Sequence, residues 1–424
     1  MHTPSEPLAY PFAPGPGLAL HPVYAELREQ PLARVRMPYG EEAWLATRYA
    51  DVKAVMSDPR FSFAEAVGRD QPRMRPWARI TGGLFALDPP EHTRLRGVVA
   101  KQFSARRVEL LRDRARGLAE DLLDRIVASG TTADLVEQFA VPFPTTLLCE
   151  LLGVPEEDHR RFWNWADAKL SDATTDDELR EQSAEFSSYV SALFELRRKE
   201  PRDDLCSSLL QARDEDGLIT EEEMLSLAGD LLVAGFLTLS HQIANFFHRL
   251  LTHPEELRRL RERPDLIPSA VEELTRYTQL NSFLLPRYAT EDVELGGTVV
   301  RAGEPVLIAV AAANRDAAVF PDADELRLDR TGPAHLGFGH GAHFCVGAHL
   351  ARVELQVALE TVLRRLPGLR LAVPESGLRW KTEGMVYGLH ALPVAFDAPG
   401  RFPAGASGSR PASRAHDTGR RPTG

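Results

Sequence analysis

Between Phe338 and Gly347 the chain reads FGHGAHFCVG, with one cysteine closing a glycine-punctuated loop. Gly339, Gly341 and Gly347 allow tight turns and a close approach of backbone to a flat ligand. From Ala348 the sequence AHLARVELQVALETVLRRL spaces apolar residues by three and four, so a helix starts just past Cys345. A cysteine there stands at the positive end of a helix dipole among unsatisfied N–H groups. Both features favour thiolate over thiol. A thiolate in a tight cradle suits the axial position of a metal. The flat ring this implies is haem, with sulfur pushing electron density toward the iron.

Two other readings compete. A lone cysteine is most often a small buried hydrophobe, which the capping glycines and neighbouring histidines argue against. Zinc is the second rival, because His335, His340, His343, Cys345 and His349 crowd together. Zinc sites usually pair their ligands as CxxC or HxxxH, and neither spacing is present.

Helical periodicity covers most of the chain. Helix signals fall at 92–128, 144–152, 156–170, 177–198, 221–252, 255–263, 268–279 and 347–365. Residues 33–47 read as a hairpin around Gly40, and 293–310 as short strands turning at Gly296-Gly297. The segment from Thr220 to Thr252 is the longest helix. Thr220 with Glu223 makes a capping box, and Pro254 closes the far end. At a 1.5 Å rise per residue it is a rod of roughly 50 Å. Its middle, LLVAGFLTLSHQIANFF, is apolar nearly all round and should be buried. The fold class expected is mainly α (α+β): a large helical domain with a small β-rich subdomain.

Composition narrows the function. The chain has 424 residues, 43% of them hydrophobic, and a formal net charge of −11, which argues against a nucleic-acid binder. Cys149, Cys206 and Cys345 are too few and too scattered for a disulfide framework, so a reducing cytosol fits. The first twenty residues hold no apolar run of signal-peptide or membrane-span length, so a cytoplasmic protein off the membrane is expected. Residues 1–396 should form one domain. The stretch 397–424, rich in Gly, Pro, Ser, Ala and Arg, should be disordered.

FGHGAHFCVGAHLAR resembles the haem-binding signature of the cytochrome P-450 family at every fixed position, and further motifs extend the likeness over roughly residues 10–396. The resemblance implies haem b (iron protoporphyrin IX) as cofactor and dioxygen as co-substrate. Cys345 would be the iron's axial ligand, with Phe338 packed beside the sulfur and Gly347 among the cofactor-binding residues. Glu273 and Arg276 lie three apart on one helix face, as ELTR. Alone that is a common surface ion pair of small worth. Within the family such a pair is buried and braces the cysteine loop, with a third partner expected from FPDADELRLDR: Arg330, or else Arg327. His92 and Arg96 stand at i and i+4 in DPPEHTRLR. The resemblance makes them, with Arg287 and His343, the hydrogen-bonding partners of the haem propionates, and charge-assisted bonds of this kind are the strong ones.

The chain departs from the family in its distal helix. The family's pattern is Ala-Gly-any-acid-Thr; here Ala234, Gly235, Phe236, Leu237 and Thr238 stand in those places. Thr238 is the candidate for oxygen handling, but Leu237 cannot carry a proton. Protons would then arrive through waters, substrate or His241, or the enzyme has moved from hydroxylation toward oxidative coupling of aromatic substrates such as cyclodipeptides or polyphenols. Hydroxylation or a related monooxygenation in natural-product biosynthesis is the leading expectation. A catalytically inactive binding protein on the same fold is the third.

The resemblance places the substrate among residues 62–85, the distal helix, Asn281–Leu284 and Met385–Tyr387. Met74, Trp77, Phe85, Val233, Ala234, Phe236, Leu237, Phe283, Met385 and Tyr387 would line an apolar, aromatic pocket for a hydrophobic or aromatic small molecule. No flavin, iron–sulfur or Rossmann motif is visible. Electrons from NAD(P)H would therefore come through a ferredoxin and its reductase. Arg106, Arg107, Arg112 and Arg352 are candidates for a basic docking patch.

Overall fold

The computed structural model describes residues 6–76, 82–170, 176–281, 283–382 and 384–398, without the side chains of 163, 166–170, 176, 179, 180, 233 and 236. Trp77 lies outside the described residues, as do the side chains of Val233 and Phe236 and the stretch 399–424.

Five helices position the site: α1 (Glu91–Ala100), α2 (Arg112–Ser129), α3 (Glu221–Leu251), α4 (Ile267–Tyr277) and α5 (Ala348–Arg365). The apolar sequence of α3 explains its place. It runs through the main hydrophobic core and packs against helices 142–152, 176–199 and 205–214 and the strand Gly388–Leu389. Among the described residues it is the one helix long and apolar enough to cross a membrane. Here it is a core element. Its start is fixed by the reciprocal capping box: Glu223 N–H donates to Thr220 Oγ1 at 3.2 Å, and Thr220 N–H to Glu223 Oε2 at 2.9 Å. Helices α2 and α4 each pack on α5, the helix that follows the cysteine loop.

The large sheet has its own apolar clusters, while two of the small sheets pack on the helical core. A six-stranded sheet has the order Leu8–Ala9, Ala33–Arg36, Ala43–Ala46, Pro305–Ile308, Arg287–Ala289, Phe61–Ser62. The 33–47 hairpin pairs Ala33 with Leu45 and Val35 with Ala43, and Gly40 turns with φ 88°. Val293–Leu295 and Thr298–Val300 form the hairpin turned by Gly296-Gly297, at φ 57° and 90°.

The expected single helix over 92–128 is three: α1, a short helix Ala105–Leu110, and α2. The break lies at Ser104, whose ψ of 145° is extended. It lets Phe103 enter the core and Gln102 donate to Ser208 Oγ at 2.6 Å. Burial of these two side chains outweighs the helical propensity of the run.

Candidate haem site and its braces

Cys345 is held by its neighbours' backbone. Its N–H donates to Phe338 O at 2.8 Å, and Ala348 N–H at the start of α5 donates to Cys345 O at 3.3 Å. Gly339 and Gly341 turn with φ 78° and 72°. A Cβ on Gly341 would come within 2.6 Å of Met56 O, so the loop closes against the helix Tyr49–Ser57 only with glycine there. Gly347 is different: its φ is −85°, and beyond its own chain neighbours nothing lies within 4 Å of where a Cβ would be. Glycine at 347 relieves no strain; it leaves open space beside Cys345. The cysteine itself is solvent-accessible although protein surrounds it, as for a group on a cavity wall. Burial pushes its thiol up. The Gly347 N–H and the charges of Arg96 and Arg352 pull the other way without overcoming burial, so the helix start alone does not secure a thiolate.

The predicted anchors come together. His92 and His343 have ring centroids 4.0 Å apart, Phe63 meets the His343 ring edge-on at 4.7 Å, and the Arg287 guanidinium lies 4.4 Å over Phe63. Arg287 donates to Val55 O, and Arg96 to Phe344 O. Burial holds both histidines below the usual imidazole range, His343 at about 3, and brings Arg287 down to about 10. Three nitrogens here are buried without a hydrogen-bond partner: His92 Nδ1, His343 Nε2 and Arg287 Nε. Orphaned buried donors are costly. The acid nearby, Asp88, is engaged by Ser62 Oγ and by Phe63 and Ala64 N–H. Two imidazoles and two guanidiniums with spare donors suit a dianionic edge, such as paired propionates. The open face at Gly347 and the accessible sulfur suit the ring. The residues present fit haem.

Behind the loop, Glu273 and Arg276 are 1% and 2% exposed and bidentately paired at 2.7 and 2.8 Å. Arg330 Nε reaches both Glu273 oxygens at 3.1 and 3.0 Å. Arg327 contributes its backbone N–H to Glu273 at 2.9 Å, while its side chain pairs with Asp322. Arg276 also donates to the carbonyls of Asn314, Ala323 and Glu325.

In α3, the Thr238 hydroxyl donates to Ala234 O at 2.8 Å. Its own proton is thereby committed, and its oxygen is left as an acceptor. Leu237 is not a pocket residue: at 2% exposure it belongs to the main core. His241 is also buried, packed so closely on Gly388 that a Cβ there would meet its ring at 2.2 Å.

The expected pocket wall is only partly assembled. Met74, Phe283 and Met385 share one cluster, but with Tyr10, Tyr24, Val35 and Leu45 beneath the large sheet. Tyr387 is 1% exposed, its N–H bonded to Leu280 O, so it is core. Phe85 is 45% exposed. The resemblance located regions rather than side chains, and apolar character within them is shared by core residues such as Leu237 and Tyr387.

Among the described residues no group of three or more His, Cys, Asp and Glu could hold a metal ion. Of the four arginines expected to form a docking patch, three are paired and Arg106 is exposed. Arg107 pairs with Asp203, Arg112 with Glu109 and Gln356, and Arg352 bidentately with Glu272 at 2.7 and 2.9 Å. Glu272 was missed. As the residue before the brace glutamate in VEELTR, it offered no signal beyond a second acid.

A helical fold with a cysteine loop at a helix start, a buried Glu–Arg–Arg brace and a polar cluster for a dianionic ring defines a haem-thiolate protein. The protein-family profile described as Cytochrome P450 matches residues 17–367. Mycinamicin IV hydroxylase/epoxidase of Micromonospora griseorubida is 54% identical over 92% of this chain and 99% of its own. Nocardicin C N-oxygenase of Nocardia uniformis subsp. tsuyamanensis is 47% identical over 91% and 98%. A structure of the mixed-function P450 MycG superposes with TM-score 0.87 at 54% identity, over 92% of this chain and all of that one. The chain belongs to the cytochrome P450 family and is a monooxygenase of that family.

Proposed function

We propose that this enzyme hydroxylates or epoxidises a hydrophobic natural product, with Cys345 as the haem iron's axial ligand and electrons supplied by a ferredoxin and its NAD(P)H-dependent reductase in the cytoplasm. The observation that carries the reading is the set of buried, unpartnered nitrogens of His92, His343 and Arg287, clustered with Arg96, which donates to Phe344 O beside Cys345. The likeness to the mycinamicin hydroxylase/epoxidase supports the reaction class. Haem bound there supplies the iron at which dioxygen is activated. The protein's part would be to bind the ring by its carboxylates, hold the sulfur in the Phe338–Gly347 loop, and offer Thr238 Oγ1 as a hydrogen-bond acceptor. Residues 1–396 form the catalytic unit in this reading.

Titrating the purified ferric protein with macrolides, terpenes and aromatic cyclodipeptides, followed by turnover with ferredoxin, reductase and NAD(P)H, tests it. A high-spin shift and a product heavier by one oxygen are expected with an apolar substrate. A product two hydrogens lighter, or a dimer, would replace the reading by oxidative coupling. No substrate-dependent NAD(P)H consumption with any of them would replace it by a binding role.

A further inference from the structure

We propose that Glu272 is a positioning residue for the Cys345 thiolate, acting through Arg352 and His335, both of which contact Phe338. This rests on the haem-thiolate reading and assigns a second task to the brace helix α4. Two consecutive glutamates on α4 serve two different segments. Glu273 holds Arg276 and Arg330. Glu272 holds Arg352 bidentately and accepts from His335 Nε2 at 3.2 Å. The tautomer is set locally, because Gly337 N–H donates to His335 Nδ1 at 3.0 Å and leaves Nε2 to carry the proton.

Both partners then reach the sulfur's loop. The Arg352 guanidinium lies 4.5 Å over the Phe338 ring, and the His335 ring is 5.6 Å from it. Phe338 O in turn accepts the Cys345 N–H. The loop also sits directly on α4, since a Cβ on Gly337 would come within 2.7 Å of Thr275 Cγ2. Glu272 and Thr275 are three apart and share a helix face. Arg352 thus brings its positive charge to the Phe338 ring, one backbone hydrogen bond from Cys345. Glu272 offsets that charge at two-point contact. Without the carboxylate, the cation would draw electron density on sulfur toward itself and away from iron. Without the cation, the carboxylate would do the reverse.

The test is the equilibrium reduction potential of the haem protein, with the Soret maximum of its ferrous carbon monoxide complex, in E272Q, R352Q and the double variant. A merely structural brace would move both single variants the same way. The expected result is a raised potential in E272Q, a lowered one in R352Q, and a double variant near wild type. Shifts of the same sign, or none, overturn the proposal. So does an R352Q protein with unaltered potential and only a raised KM for its reductant, which would make Arg352 a docking residue. Should E272Q not retain haem, R352Q and the double variant suffice. Removing Glu272 after Arg352 must raise the potential, and an unchanged value overturns the proposal.

Discussion

Arg330 Nε lies 3.1 and 3.0 Å from the two carboxylate oxygens of Glu273, joining residues 57 apart in sequence. Glu273 also receives Arg276 and the Arg327 N–H, so one 1%-exposed carboxylate takes donors from α4 and from the segment ahead of the cysteine loop. Removing it leaves Arg276 buried at 2% exposure without its anion. Loss of one partner of a buried pair costs about 3–5 kcal/mol. Glu273→Ala should therefore lower the unfolding free energy read from urea denaturation by that amount and abolish haem incorporation. Normal haem content at wild-type stability would refute the brace.

The orphaned nitrogens give a second prediction. A neutral imidazole donating to a carboxylate makes a charged hydrogen bond, worth about 1.5–3 kcal/mol. His343→Phe keeps the ring that Phe63 packs against and removes that donor. Haem transfer to excess apomyoglobin should accelerate roughly 10- to 100-fold, by that energy, with the urea midpoint of the apoprotein little changed. An unaltered transfer rate would remove His343 from the propionate partners.

Much of this was legible in the sequence, and the limits follow from physics. Cys345, Glu273 and Arg276 stand in short local patterns whose spacing carries their geometry. Helix α3 announced itself by its cap and its all-round apolarity. What failed were decisions between two kinds of burial. Leu237 and Tyr387 are apolar whether they face a cavity or the core, and only the three-dimensional packing separates the cases. The break at Ser104 was hidden for the same reason, since Gln102 finds Ser208 across 106 residues. Arg352 looked like a free surface cation because its partner, Glu272, is 80 residues away.

That pairing has a pH signature. Burial raises the Glu272 carboxyl, but hydrogen bonds from Arg352 and His335 outweigh it and bring the group down to about 2. A depressed folded-state value means the contribution to stability is complete above the ordinary glutamate range, near pH 4.3, and is lost as pH falls toward 2. The difference in urea midpoint between wild type and E272Q should be constant above about pH 5 and shrink as the pH is lowered to 3. A difference that grows on acidification would show that the carboxylate is not held by cations in solution.

The two residues at the turn of α3 separate proton handling from packing. Thr238 commits its proton to Ala234 O, so its oxygen is left to accept a hydrogen bond. Thr238→Val keeps the shape and removes that acceptor. One lost hydrogen bond of about 1.4 kcal/mol is a tenfold effect, so the ratio of product to NAD(P)H consumed should fall about tenfold, with haem content unchanged. Leu237, 2% exposed in the core, faces the opposite problem. Writing the family's acid back as Leu237→Glu buries a carboxylate among apolar side chains, which costs several kcal/mol unless the group is protonated. The expected outcome is a lower urea midpoint at pH 8 that recovers at pH 5, where the acid is neutral, with no gain in coupling at either pH. A Leu237→Glu enzyme as stable as wild type at pH 8 and better coupled would show that this position reaches the site, and that the missing acid is the reason for any proton bypass.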